Sequence, residues 1–176
     1  MGKGSYRFPP RQILIGIDGE ARTEAAVRWA VQLAAVAGSR VTAVHVKDPY
    51  LKQFSNDIYA QGRQVYRDHV DAKLAERAAE VVAAFEAVVR SVQKAGRQEA
   101  GAGTGGAELQ YRVTVRAGDP VTELAAAAAE TACDLVVLGG KNLRGLERWR
   151  SGKLPERLAA KIAEVPLLLV PAGPGT

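Results

Sequence analysis

Five short apolar runs punctuate the chain, and segments with a helical pattern separate them. The first run, QILIGID from Gln12 to Asp18, is apolar until its aspartate, which is typical of a strand buried on both faces. The other four are RVTAVHV (40–46), LQYRVTV (109–115), CDLVVLG (133–139) and VPLLLVP (165–171). Alternating strands and helices form βαβ units, so we predict an α/β fold with a mostly parallel sheet and helices on both faces.

The segment RTEAAVRWAVQLAAVAG (22–38) follows the first strand and has the spacing of an amphipathic helix. Gly38 is predicted to end this helix, because glycine readily adopts the left-handed conformation found after the last helical turn. Trp29 is predicted to lie in the core. One predicted apolar stripe consists of Ala26, Ala30, Leu33 and Ala37.

A second apolar stripe recurs at spacings of four and three residues and predicts a long amphipathic helix that ends near Gly96. Its members are Val70, Leu74, Ala78, Val81, Phe85, Val88 and Val92. A coiled coil is the alternative, but strands on either side favour packing against the sheet. The segment before it, 47–65, has no clear pattern, and the glycine-rich segment 96–108 is predicted to be a flexible connection.

Two further helices complete the alternation. In the third, Asp119 is placed as the N-cap, Pro120 as the first helical residue and Glu123 in the first turn. These residues explain a helix start without any functional role. The fourth helix is predicted over PERLAAKIAE (155–164), between the last two strands.

The length of 176 residues suits one domain, with an extension over residues 1–11, the domain over 12–171 and a tail over 172–176. The single cysteine, Cys133, permits no internal disulfide, and a buried structural thiol is favoured over a nucleophile. The start MGKGSYRFPPRQ lacks the apolar core of a secretory signal, and no run approaches the ~20 residues that span a bilayer. We therefore expect a cytoplasmic protein that does not enter a membrane.

Candidate chemistry lies where the predicted strands end. In an open parallel sheet, ligands bind at the carboxyl ends of the strands, near the point where the strand order reverses. Asp18, Val46 and Gly139 occupy such ends. The net charge of +5 suits anionic partners or an ordinary solvated surface. Much of that charge follows Gly139, where one glutamate, Glu147, accompanies the cations Lys141, Arg144, Arg148, Arg150 and Lys153.

Five segments, taken in this order, resemble the universal stress protein family from Gln12 to Pro171: ILIGIDG, VTAVHV, RAGDP, CDLVVLGG and VPLLLVP. The resemblance implies a Rossmann-like sheet of five parallel strands in the order 3-2-1-4-5. It also implies a homodimer through the last strands, Val165 to Pro171. Pairing of these strands has a physical motive, because an apolar edge strand is prone to aggregate unless it is covered.

Nucleotide-binding members of that family carry Gly, two residues, Gly, nine residues, and then Gly followed by Ser or Thr. In this chain the same frame holds Gly139, Asn142, Gly152 and Lys153. Asn142 brings a side chain to a position where phosphate approaches the backbone, whereas Lys153 supplies a cation at a helix N-terminus suited to anions. Pro155 stands at a second hydroxyl position of the family and has no N–H to donate.

The resemblance also implies roles for the residues at the strand ends. Asp18 matches an aspartate near adenine and ribose, and Val46 matches a backbone contact to adenine. The Gly139 and Gly140 amides would approach the phosphates, and Lys153 would neutralise charge. The alternatives are that Asp18 organises the turn Asp-Gly-Glu and that Val46 is a plain core residue.

These features favour a binding and signalling module of the stress response that binds ATP or another adenine nucleotide and is not an enzyme, with weak ATP hydrolysis left open. The alternative is an interaction protein whose basic loop docks a protein partner or another anion. Nucleic-acid binding has only the charge of this loop and Trp149 behind it.

Residues for other chemistries are missing from the sequence. The stretch from Gly145 to Gly152 lacks the spacing and the hydroxyl of a P-loop. His45 and His69 have no cysteine or carboxylate at metal-ligand spacing, so no metal site is predicted. No residue can be named as a general base.

Overall fold

A computed structural model of the chain describes residues 8–47, 63–99, 108–140 and 153–172. The strands are β1 (Gln12–Gly16), β2 (Arg40–Lys47), β3 (Tyr111–Ala117), β4 (Leu135–Gly140) and β5 (Leu167–Pro171). The helices are α1 (Ala21–Ala37), α2 (Arg63–Glu99), α3 (Pro120–Thr131) and α4 (Lys153–Lys161).

The strands form one sheet in the order β3-β2-β1-β4-β5, and every neighbouring pair is parallel. The first strand therefore lies in the centre, where Ile15 pairs with Ala43 of β2 and with Val137 of β4. The strand order reverses at β1, because the chain proceeds to β2 and β3 on one side and later to β4 and β5 on the other. The predicted Rossmann-like order is confirmed.

Both faces of the sheet are covered, which explains the continuous apolar sequence of β1. Ile13 and Ile15 point to the face covered by α1 and α2, while Leu14 points to the face covered by α3 and α4. Because successive side chains of a strand alternate between faces, one strand supplies both cores. These cores are two separate clusters of buried residues, one on each side of the sheet.

Helix α1 ends where the sequence predicts, because Gly38 is left-handed with φ +66° and its N–H bonds to the Ala34 carbonyl. The prediction for Trp29 was wrong: this side chain is 42% exposed. Ala26 and Ala30 face the sheet together with Val27 and Val31. At 3.6 residues per turn, position 29 points away from this stripe, so the indole lies at its solvent side.

Helix α2 is longer than predicted, since it continues through Gly96 to Glu99. Glycine in a helix costs only about 1 kcal/mol relative to alanine, and good helix formers surround it here. The stripe packs against the sheet and α1, as predicted, rather than forming a coiled coil. Its buried members are Ala78, Val81, Phe85, Val88 and Val92.

Helix α3 begins as predicted. The Asp119 side chain accepts a hydrogen bond from the Thr122 N–H at 3.0 Å, and Pro120 occupies the first turn. The hydrogen bonds from the backbone and hydroxyl of Thr122 hold the pKa of Asp119 below its usual value. Strand β3 starts and ends two residues later than predicted, because its pairing with β2 continues to Ala117 opposite Lys47.

Cys133 lies between α3 and β4, and its side chain is buried. Burial raises the pKa of this thiol to about 11, because the thiolate would lose its hydration. The thiol is therefore protonated at neutral pH and is a poor nucleophile, as predicted.

None of the helices among the described residues is both long enough and apolar enough to cross a membrane.

Candidate functional site

The carboxyl ends of β1, β2 and β4 lie side by side at one edge of the sheet. Asp18 follows β1, Val46 lies near the end of β2, and Gly139 and Gly140 end β4. The backbone of Lys153 begins α4. Asn142 and Gly152, the remaining predicted site residues, fall outside the described residues, as does the basic loop between them.

Asp18 organises the turn between β1 and α1. Its Oδ1 accepts hydrogen bonds from the Glu20 N–H at 2.9 Å and from the Thr23 hydroxyl. Thr23 is 5% exposed, so this contact anchors the carboxylate to the first turn of α1. Glu20 occupies the N-cap position without a capping bond from its own side chain. Asp18 therefore stabilises the turn just before α1, in agreement with the turn-organising alternative.

Gly19 gives this turn its shape. Its φ of +77° is a left-handed conformation that side-chain-bearing residues rarely adopt. A Cβ at this position would lie 2.9 Å from Cγ2 of Val81 and 3.2 Å from Nη2 of Arg77. The turn therefore presses directly against α2.

Replacing Gly19 by alanine is expected to lower the free energy of unfolding by about 2 kcal/mol, since left-handed strain and crowding against Val81 add together. Gly38→Ala is a matched control, because Gly38 has φ +66° but an added Cβ would meet open space. We expect this control to cost about 1 kcal/mol, from backbone strain alone. Equal losses in urea unfolding would contradict the close contact between the turn and α2.

Two side chains from other elements bind the carbonyl groups of the same turn. His45 of β2 is buried, and its Nδ1 donates to the Ile17 carbonyl at 3.0 Å. Arg77 of α2 donates from Nη2 to the Asp18 carbonyl at 3.4 Å. Neither contact was predicted from the sequence, where His45 was considered only as a metal ligand. No group of three or more His, Cys, Asp or Glu among the described residues is placed to hold a metal ion.

Val46 is half-buried and packs against the core below α3, so its side chain has the predicted alternative role in the core. Its neighbour on β3 is Arg116. Arg116 forms ion pairs with Glu130 and Glu123 of α3, and its hydrogen bond with Glu130 is the main cause of the raised pKa of its guanidinium. This network ties the carboxyl ends of β2 and β3 to α3.

Gly139 and Gly140 pair with Val170 and Pro171 of β5. An added Cβ at Gly140 would lie 3.5 Å from the Val170 carbonyl oxygen, which is an ordinary contact. Packing among the described residues therefore does not require glycine at position 140.

Helix α4 starts at Lys153, so Pro155 falls in its first turn. The missing N–H of Pro155 removes no intrahelical bond there, because the first N–H groups of a helix have no partner within it. Arg157 Nη2 lies 3.8 Å from Oδ2 of Asp119, and Lys161 Nζ donates to the Thr122 hydroxyl at 3.1 Å. These contacts hold α4 beside the start of α3.

A model of the universal stress protein family matches residues 10–171. The chain belongs to this family. The match covers all five strands and all four described helices. No curated protein matches the chain.

Solved universal stress proteins share the fold. One from Burkholderia pseudomallei is 22% identical with a TM-score of 0.60, and the match covers 98% of this chain and 100% of that one. A universal stress protein in complex with cAMP is 20% identical with a TM-score of 0.52, covering 93% and 98%. An Arabidopsis thaliana family member with AMP bound is 16% identical with a TM-score of 0.54, covering 92% of each chain.

Proposed function

We propose that this universal stress protein is a non-enzymatic binding and signalling module that holds ATP or another adenine nucleotide at the carboxyl edge of β1, β2 and β4. The observation that carries the proposal is that these three parallel strands end side by side, at the point where the strand order reverses. Two solved members of this family, one in complex with cAMP and one with AMP bound, support an adenine nucleotide as the ligand class.

In this proposal each residue has one task. Asp18 accepts from the ribose hydroxyls or the base amino group, and the Val46 backbone contacts adenine. The Gly139 and Gly140 amides approach the phosphates, with Asn142 and Gly152 of the adjoining loop beside them. Lys153 neutralises phosphate charge at the N-terminus of α4, where unpaired N–H groups favour anions.

Gly140 supports this assignment independently of the loop. Its glycine is required neither by a left-handed backbone nor by crowding among the described residues. Close approach of a phosphate to the backbone is a separate reason for a position without a side chain.

Asp18→Ala tests the role of the carboxylate when ATP and AMP are titrated calorimetrically. We expect binding to weaken about tenfold, because a hydrogen bond to a charged group is lost. Thr23→Val is the matched control, since it removes the hydroxyl that binds Asp18 Oδ1 but keeps the carboxylate and the shape. This control is expected to change the affinity about twofold.

Equal losses of nucleotide affinity in the two variants would show that Asp18 acts only through the turn and does not bind the ligand. Failure of the unaltered protein to bind either nucleotide at millimolar concentration would remove the proposal. The interaction module with a basic docking loop would then become the leading function.

We further propose a cytoplasmic homodimer that pairs through β5. This strand lies at the edge of the sheet, and Leu169 within it is 45% exposed. Covering this edge with a second copy would complete the backbone hydrogen bonding of β5 and bury Leu169. Sedimentation of the protein at several concentrations measures whether the dimer forms.

A further inference from the structure

Side chains from two other elements bind the backbone of the turn that carries Asp18. His45 approaches from β2 and Arg77 from α2, and they bind the consecutive carbonyl groups of Ile17 and Asp18. A carbonyl oxygen only accepts, so His45 Nδ1 and Arg77 Nη2 are the donors. Two elements distant in sequence therefore fix the backbone at the point where the chain leaves β1.

Apolar packing behind the turn is incomplete. A cleft of about 100 Å³ opens between α1 and α2, and its lining includes Ile17, Gly19, Thr23, Val81 and Phe85. The turn contacts Val81 at Gly19, but the adjoining cleft leaves part of the turn without an apolar packing partner. The polar contacts from His45 and Arg77 supply the missing restraint.

The position of Arg77 on α2 is set by the core. Its neighbours Ala78 and Val81 are buried, which fixes the rotation of the helix. Arg77 consequently lies at the margin of the buried stripe, half-exposed, where its Nη2 reaches the Asp18 carbonyl. Its Nη1 pairs with Glu80 at 3.2 Å, which gives the guanidinium a second partner beside the turn.

We propose that Arg77 is a positioning residue for the nucleotide: it holds the Asp18 backbone so that the carboxylate faces the ligand, and His45 holds Ile17 in the same way. This inference rests on the proposed nucleotide site. The contact between Arg77 and Asp18 also couples α2 to the site. A ligand that favours the turn geometry bound by Arg77 strengthens this contact. Coupling of this kind is reciprocal, so a partner that moves α2 changes the nucleotide affinity.

Arg77→Ala tests this inference, with Arg90→Ala as the matched control. Arg90 lies farther along the same helix, about 20 Å from Arg77, and pairs with Glu86 at 3.6 Å. We expect Arg77→Ala to weaken ATP binding about fivefold and Arg90→Ala to leave it within about twofold. Arg77→Lys, which keeps a cation, is expected to recover part of the affinity.

Hydrogen–deuterium exchange of residues 17–23 gives a second readout that needs no ligand. Arg77→Ala should accelerate exchange in this segment while the melting midpoint stays close to that of Arg90→Ala. Unchanged exchange and unchanged ATP affinity would overturn the inference. If the unaltered protein binds no nucleotide, faster exchange still supports the restraint by Arg77, and only the proposed function fails.

Discussion

Truncating Leu158 to alanine is expected to lower the free energy of unfolding by about 3 kcal/mol. Leu158 is 0% exposed and fills the cluster below α3, where it contributes to a column with Leu154 and Ile162. Helix α4 has only nine residues, so this column supplies much of its attachment. Urea unfolding followed by far-ultraviolet circular dichroism measures the loss.

Val36→Ala is the control for this truncation, because Val36 is 90% exposed and its methyl groups contribute little to the core. We expect Val36→Ala to change stability by less than about 0.5 kcal/mol. A loss below about 1 kcal/mol for Leu158→Ala would show that α4 does not dock as described.

Nucleotide binding by Leu158→Ala should weaken as well, since a loosened α4 no longer presents its N-terminus at a fixed position.

Reversing the charge at position 153 is expected to have the largest effect on nucleotide binding. Lys153→Glu places a carboxylate at the start of α4, where the proposed phosphates meet the helix. Replacing attraction by repulsion at such a site is expected to weaken ATP binding about a hundredfold, because each charge pair contributes on the order of 1–4 kcal/mol near a protein surface. Calorimetry at low and high salt measures the change.

Lys161→Glu provides the matching charge reversal on the same helix. Lys161 lies two turns farther along α4 and binds the Thr122 hydroxyl. The two variants have the same net charge, so any difference in their ATP affinity comes from the position of the reversed charge. We expect Lys161→Glu to weaken ATP binding about threefold at low salt and less at high salt. Similar affinities for the two variants would contradict a phosphate site at the start of α4.

Much of the fold was predictable because strands and helices leave different patterns in the sequence. A strand buried on both faces gives a short apolar run, and a helix buried on one face gives apolar residues at spacings of three and four. Short, mainly apolar runs identified all five strands, and the cap formed by Asp119 and the stop at Gly38 located helix ends. These features act within a few residues of the chain. The strand order was not read from periodicity; it came from the resemblance to the family.

The errors concern which side of a helix faces the core and where a helix stops. Trp29 looked like a core residue because it is large and apolar, but the rotation of α1 is set by the alanines and valines that let the helix approach the sheet closely. Gly96 looked like a stop, yet a stop requires a left-handed turn as well as glycine. That turn depends on the path of the chain beyond the helix.

Asp18 was identified from its position at a strand end, but its contacts with Glu20 and Thr23 support the alternative role in the turn. Its role toward a nucleotide stays a prediction. Nothing in the sequence distinguishes Arg77, because arginine is a common residue on the solvent-facing side of an amphipathic helix. Its contact with the Asp18 carbonyl bridges 59 positions in sequence. Only the docking of α2 onto the sheet brings the two together.

The central place of β1 affects how the protein is made. Its partner β2 follows within the same half of the chain, but its other partner starts only at Leu135. At ~5–20 residues per second, a ribosome needs on the order of ten seconds to supply that second partner. During this interval one edge of β1, a strand that the folded protein buries on both faces, has no partner strand, so this is the period in which chaperones and neighbouring nascent chains compete for it.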